Sequence, residues 1–232
     1  MKIKYYNELV QGTDEWLLAR AGIVTASVVK DLFTAGMKIA DNQTVRNLSY
    51  KLAAERITNF VEETGNFWQM ERGHLEETIA RHIYSENYYT VEECGFITKE
   101  FDNGIVIGYS PDGIIKEDGL IEIKSRINKL QIETVITKTT PSEYICQIQT
   151  ALLVTDREWI DFVSYSNGMP LYVERHFKNE EVQEIIINAV NLFEARVVET
   201  VEQFKKMSEG LILCERVDHN ENEEITSSTG EK

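Results

Sequence analysis

The sequence predicts an α/β protein in which a central mixed β-sheet is flanked by helices, and three observations predict it. Apolar or alternating runs at residues 88–99, 103–109, 158–164 and 171–176 read as strands, and residues 114–123 read as a hairpin. Two long stretches, Phe67 to Asn87 and Asn179 to Lys206, read as helices. The second carries Val182, Ile185, Ile186, Ala189, Val190, Phe193, Val197, Val201 and Phe204 on a stripe wide enough to pack on a sheet. The length of 232 residues suits one large domain with a real core. Residues 1–214 are assigned to that domain and 215–232 to an acidic tail, expected to be disordered after Asp218.

In chain order, residues 2–10 are short and mixed, compatible with a strand. Thr13-Asp14-Glu15 supplies a cap and first-turn acids for a helix to Arg20, with Gly22 as its stop. Thr25-Ala26-Ser27 is a second cap, ahead of Val28 and Val29. Residues 35–41 read as a loop. Residues 42–63 read as a helix with Val45, Leu48, Leu52, Ile57, Phe60 and Val61 on its apolar stripe, broken by Gly65-Asn66. The helix from Phe67 carries Glu71, Gly73, Glu76 and Glu77 in its first half. Gly73 and Glu77 are one turn apart, and Glu76 points about 100° from Glu77, a position expected to be solvated. Residues 127–138 read as helical. Residues 139–143 cap a further helix, on which Tyr144, Gln147 and Ala151 fall near one face. Asn167-Gly168 is a reversal between the last two strands.

The chemistry concentrates between Tyr109 and Lys124, where an acid, a tight turn, a second acid and a lysine fall within sixteen residues. Asp118-Gly119 signals the reversal. If residues 115 and 120 face each other, Asp112 and Glu122 lie within one residue of being opposite, where Cβ atoms are about 4.5 to 8 Å apart. Both carboxylates then reach one divalent cation. Glu122 and Lys124 share one strand face, and Ile121 and Ile123 the other. Mg²⁺ takes oxygen ligands and keeps waters, so two acids leave positions for a water and a phosphate oxygen. A lysine beside them can orient or deprotonate the water and offset growing negative charge. On spacing alone an ordinary solvated hairpin is an equal reading. Ser110-Pro111 ahead of Asp112 favours a built site, because proline marks a segment start or a bulge. Arg20 and Ser27 can contact a phosphate beside a helix amino terminus, although from the residues alone a plain cap and an ion pair are preferred. Gln147 can bind water or a phosphate oxygen, or be a core-edge amide. Trp16 reads as a core or wall residue rather than a base-stacking one.

Ser110-Pro111-Asp112-Gly113 followed by Glu122-Ile123-Lys124 resembles the PD-(D/E)xK nuclease signature in the form carried by phage lambda-type exonucleases, YqaJ-like proteins included. Trp16-x3-Arg20-x-Gly22-Ile-Val-Thr-Ala-Ser27, Gly73-x3-Glu77 and Tyr144-x2-Gln147-x-Gln149 are similar to that family's other motifs and occur in its order, covering roughly residues 14–155. The resemblance implies a restriction-endonuclease-like core and digestion of one strand of linear double-stranded DNA from 5′ to 3′. The product is then a 3′ overhang for phage-type recombination. It implies metal ligation by Glu77, Asp112, Glu122 and the Ile123 carbonyl, with two Mg²⁺ ions and Mn²⁺ as a substitute. Lys124 would activate the water, Gln147 would assist, and Arg20 and Ser27 would hold a 5′-phosphate. A homotrimer ring and a single-strand annealing protein as partner are inherited in the same way.

Composition limits other classes. No apolar run approaches a membrane span and no signal-peptide core opens the chain, so no membrane is expected and the cytoplasm is the expected location. Cys94, Cys146 and Cys214 form no Cys-x-x-Cys pair, and the four histidines include no His-Glu-x-x-His, which disfavours zinc. The net charge of −15 is the main objection to a DNA substrate. It keeps two alternatives open: an endonuclease or CRISPR-associated nuclease of the same superfamily, and a non-catalytic acidic protein that mimics DNA.

Overall fold

The computed structural model describes residues 1–62 and 67–216, with side chains except at 67–71. Internal contacts divide the chain after Val201. The first unit, Met1–Val201, holds both sheets and nearly all helices. The second begins at Glu202 and is described to Arg216. It contains the last turns of the long carboxy-terminal helix and an exposed Leu211-Ile212-Leu213 run. The tail from 217 onward lies outside the described residues.

Among the described residues, eight strands form two mixed four-stranded sheets. The first takes β1 (Lys2–Tyr6), β2 (Val24–Thr25), β3 (Phe96–Glu100) and β4 (Val106–Tyr109) in the order β1-β3-β4-β2, with only β2 and β4 parallel. The second takes β5 (Gly113–Ile115), β6 (Gly119–Ser125), β7 (Trp159–Tyr165) and β8 (Tyr172–Phe177) in sequence order, with only β6 and β7 parallel. The expected mixed sheet is therefore split in two. The chain crosses between the halves at Ser110-Pro111-Asp112, where a proline that cannot donate to a ladder ends pairing.

The helices are α1 (Asp14–Arg20), α2 (Ala26–Val29), α3 (Gln43–Thr58), α4 (Phe67–Asn87), α5 (Asn128–Thr137), α6 (Ile145–Thr155) and α7 (Glu180–Met207). Thr13 caps α1 through its side chain, which accepts from Trp16 N–H, and Asn42 caps α3 by accepting from Val45 N–H. The stripe predicted along 42–63 holds only in part. Val45, Leu48 and Leu52 are buried, but Asn59 turns left-handed (φ +51°) and ends α3. Phe60 is exposed beyond that end, and Ile57, still within the last turn of α3, is exposed as well. Glu63 and the predicted break at Gly65-Asn66 lie outside the described residues.

Two cores lie against the second sheet. The larger joins Val29, Leu52, Ile107, Ile148 and Phe193 with Leu120, Ile160 and Phe162. The smaller joins Ala80 and Tyr84 of α4 with Ile115, Ile121, Ile123, Trp159 and Val163. Adjacent residues of β6 thus enter different cores. The polar face expected on this strand is itself enclosed, with Glu122 only 1% exposed, as befits a strand paired in parallel and covered on both sides.

Candidate active site

The hairpin pairs Ile115 with Gly119, Ile114 with Leu120 and Gly113 with Ile121, one residue tighter than the sequence suggests. Extended by one step, this register sets Asp112 directly across from Glu122. The reversal also differs in its chemistry: Lys116 takes the left-handed conformation (φ +49°), while Gly119 is already in β6. Gly119 is required for a different reason, since a Cβ there would run into the Trp159 indole.

Because β5 begins only at Gly113, the next backbone N–H of β6 on that side has no strand partner. Ile123 N–H instead donates to Asp112 Oδ2 at 2.6 Å. In a strand the N–H and C=O of one residue face the same way, so the Ile123 carbonyl is turned to the Asp112 side. Glu122 is satisfied by three donors: Tyr109 Oη at 3.0 Å, Lys124 Nζ at 2.6 Å, and Gln147 Nε2 from α6. A carboxylate this deep needs such a set. Asp112, Glu122 and Lys124 are thereby brought together as the spacing suggests, and Ile123 and Gln147, named through the family resemblance, lie beside them.

Glu77 arrives from α4. It pairs with Arg81 one turn on, and Arg81 also donates to the Asp112 carbonyl oxygen (2.7 Å) and to Glu93 (2.5 Å). Sequence reasoning passes over Arg81, although a Glu four residues ahead of an Arg on a helix is a legible signal. Glu76 departs from expectation. It is half-buried, accepts from Ser125 Oγ and pairs with Arg72 at 3.1 Å, because α4 packs along β6 closely enough for two neighbouring positions to meet it.

Charge is crowded here. Burial first, then repulsion from Glu122 and Glu77, holds the Asp112 carboxyl well above the usual range, against relief from Lys124 and the Ile123 N–H. Burial likewise raises Glu77 in spite of Arg81. Burial opposes the charge on Lys124, yet Glu122 and Asp112 together raise its pKa above that of an ordinary lysine. Hard oxygen donors that repel one another in a buried place suit a divalent cation. Among the described residues no three His, Cys, Asp or Glu side chains already converge as a cage. The carboxylates are occupied instead by Lys124, Gln147, Arg81 and the Ile123 N–H.

Arg20 and Ser27 flank this centre. Arg20 Nη1 donates to Ser110 Oγ (2.6 Å), two residues before Asp112, and its guanidinium lies 4.1 Å from the Trp16 ring. Trp16 is a wall residue, its indole N–H shared between the Gly95 carbonyl and Ser110 Oγ. Burial lowers the Arg20 pKa to about 10, with Glu55 opposing. Ser27 is exposed on the four-residue α2 and contacts Thr25 Oγ1 at 3.1 Å; Thr25 makes no side-chain cap bond. The parallel pairing of Thr25 with Gly108 brings α2 to the end of β4 from which Ser110 departs. A cavity of about 260 Å³, lined by Gln11, His74, Glu77, Arg81 and Asp112 among others, opens beside the carboxylates.

Comparison with known proteins identifies the family and the fold. Residues 15–158 match the YqaJ-like viral recombinase domain. No curated protein matches with significance. Among solved structures, an alkaline exonuclease from Laribacter hongkongensis, LHK-Exo, is 33% identical with a TM-score of 0.74, covering 86% of this chain and 100% of its own. The same enzyme in complex with dAMP aligns at 34% identity and a TM-score of 0.75, with the same coverage. A phage-related exonuclease from Haemophilus somnus 129PT shares the fold at 14% identity and a TM-score of 0.54, over 78% of this chain and 96% of its own. The chain belongs to the YqaJ-like viral recombinase family, the lambda-type exonucleases of the restriction-endonuclease-like fold.

Proposed function

We propose that this exonuclease digests one strand of linear double-stranded DNA from 5′ to 3′ with Mg²⁺, leaving a 3′ single-stranded overhang for recombination. The observation that carries the reading is Glu122 held between Lys124 and Gln147, with Asp112 across the hairpin from it. Asp112, Glu122, Glu77 and the Ile123 carbonyl would hold two Mg²⁺ ions, with Mn²⁺ able to replace them in an all-oxygen set. Bound there, the cation supplies Lewis-acid polarisation of the phosphodiester and offsets the carboxylate charges.

The chain's own residues do the rest. Lys124, fixed by Glu122, orients and activates the attacking water and offsets the negative charge that grows on the phosphoryl oxygens of the pentacoordinate transition state. Gln147 presents its amide to that water or to a phosphate oxygen. Arg20 and Ser27 receive the 5′-phosphate, Arg20 exchanging its bond to Ser110 for a charged one. Arg81 positions Glu77 and the Asp112 backbone. By family resemblance, three copies would form a ring around the DNA and a single-strand annealing protein would receive the product, in the cytoplasm. Among the described residues no helix is long and apolar enough to cross a membrane.

The test is digestion of linear duplex with a 5′-phosphate or a 5′-hydroxyl, beside a covalently closed circle, with Mg²⁺ or chelator. Phosphate-stimulated, Mg²⁺-dependent loss of one strand is expected, falling at least about 100-fold in Lys124→Ala. Cutting of the circle would make the protein an endonuclease, and no cleavage by folded wild type would leave a DNA-mimicking binding protein.

A further inference from the structure

Arg126 is a cation whose donors are left unspent beside the site. It follows the last residue of β6 and continues the ladder, its backbone N–H donating to Tyr165 O at 2.7 Å. It is 5% exposed, and among the described residues its Nε and Nη1 are buried without an acceptor. Other arginines in the fold spend their donors: Arg175 forks onto Asp161, and Arg157, although its Nε is unpaired, gives Nη1 to the carbonyls of Ile115, Lys116 and Gly119. A buried guanidinium with two idle donors is costly, and folding alone has no use for it.

Its surroundings say where those donors serve. The Arg126 guanidinium lies 5.6 Å from the centroid of the Tyr144 ring, and Lys124 Nζ lies 5.6 Å from the same ring. Phe162 stacks on the same ring with centroids 5.4 Å apart, which holds Tyr144 in place beside the two cations. Alternation along the strand also sends residues 122, 124 and 126 to one side, with about 6.6 Å between successive positions. That step is comparable with the distance between neighbouring phosphates of a nucleic-acid strand. The planar guanidinium fork matches a phosphodiester better than a point acceptor.

Resting on the exonuclease reading above, we infer that Arg126 binds a backbone phosphate of the digested strand, next to the phosphodiester at Lys124, with Tyr144 as the floor of the subsite. The bound strand supplies the acceptor that the free protein lacks.

The test uses Arg126→Met and Arg126→Lys, each in the full chain and on an Asp112→Asn background that does not consume the strand. Affinity for 5′-phosphorylated duplex is measured by fluorescence anisotropy across a salt series with Mg²⁺. Arg126→Met is expected to weaken binding about 5–10-fold and to lower the magnitude of the log K against log salt slope by about 1, while Arg126→Lys keeps the slope. Because Arg126→Met removes a buried charge without a partner, its Tm should stay level or rise by up to about 4 °C. An unchanged slope with a lower Tm would make Arg126 structural and overturn the inference. An unchanged slope with altered self-association would hand its donors to a carboxylate of a second copy, with the same consequence. The exonuclease reading is judged separately, by whether wild type digests linear duplex at all.

Discussion

Arg81 touches Glu77 and the Asp112 backbone, two parts of the proposed metal-ligand set, and at the scale of single residues it shows how the candidate site is held. One guanidinium binds Glu77 on its own helix, the Asp112 carbonyl at the sheet crossing, and Glu93. It reaches no reacting atom, so its role is to position. Groups that orient metal-binding carboxylates typically cost 10–100-fold in affinity or activity when removed. Arg81→Ala should therefore lower exonuclease rate by about 10–100-fold and raise the Mg²⁺ concentration for half-maximal rate, with Arg81→Lys intermediate because one ammonium cannot span both contacts. A Mg²⁺ titration of the three proteins decides it; an Arg81→Ala curve that overlays wild type would remove Arg81 from the site. The meeting of Asp112, Glu122 and Lys124 was legible because it needs only alternation and a turn. Arg81 and the Glu76–Ser125 contact were not, since both depend on how closely α4 approaches β6, which no local spacing encodes.

Among the elements, the β5–β6 hairpin carries the most information per residue, and its glycines have different duties. The Asp118-Gly119 pair signals a reversal, and a reversal is there, but the strain falls on Lys116. Gly119 is needed because Trp159 from the parallel neighbour β7 covers the place of its Cβ. Gly119→Ala is thus an overpacking change and should destabilise by about 1–3 kcal/mol. Gly36→Ala, with nothing near its Cβ position, should stay within about 0.5 kcal/mol. Urea melts of both variants check this, and equal midpoints would contradict the packing account. Helix α4 was readable to its bounds, whereas α3 was read on past Thr58, where it ends. Hydrophobic residues past Thr58 suggested continuation, but Asn59 in the left-handed region ends the helix and sends Phe60 outward.

Across the whole molecule, 39 acidic residues against 24 basic ones leave a net charge of −15, unusual for a protein that handles DNA. Part of that charge is concentrated at the candidate site: repulsion from Glu122 and Glu77 adds to burial in raising the Asp112 carboxyl, and repulsion from Glu122 adds to burial in raising Glu77, a crowding that a divalent cation would relieve. Substrate binding should then depend on the metal as much as on basic side chains. With the Lys124→Ala protein at constant ionic strength, replacing a chelator by Mg²⁺ should tighten binding of 5′-phosphorylated duplex at least about tenfold, roughly 1.4 kcal/mol. Gel shifts in the two buffers measure it. Equal affinity would mean that a basic surface, and not the carboxylate centre, governs recognition.

The sequence by itself determined the α/β class, the hairpin with its Asp, Glu and Lys, and the order of motifs that marks the family, because alternation, helical period and turn chemistry act within a few residues. Only the tertiary structure decided the split into two sheets at Ser110-Pro111-Asp112, the three donors on Glu122, the clamp of Arg81 and the idle guanidinium of Arg126. Most of these join groups from separate elements, such as Gln147 and Glu122 across 25 residues, and their meeting depends on packing between elements rather than on any local pattern.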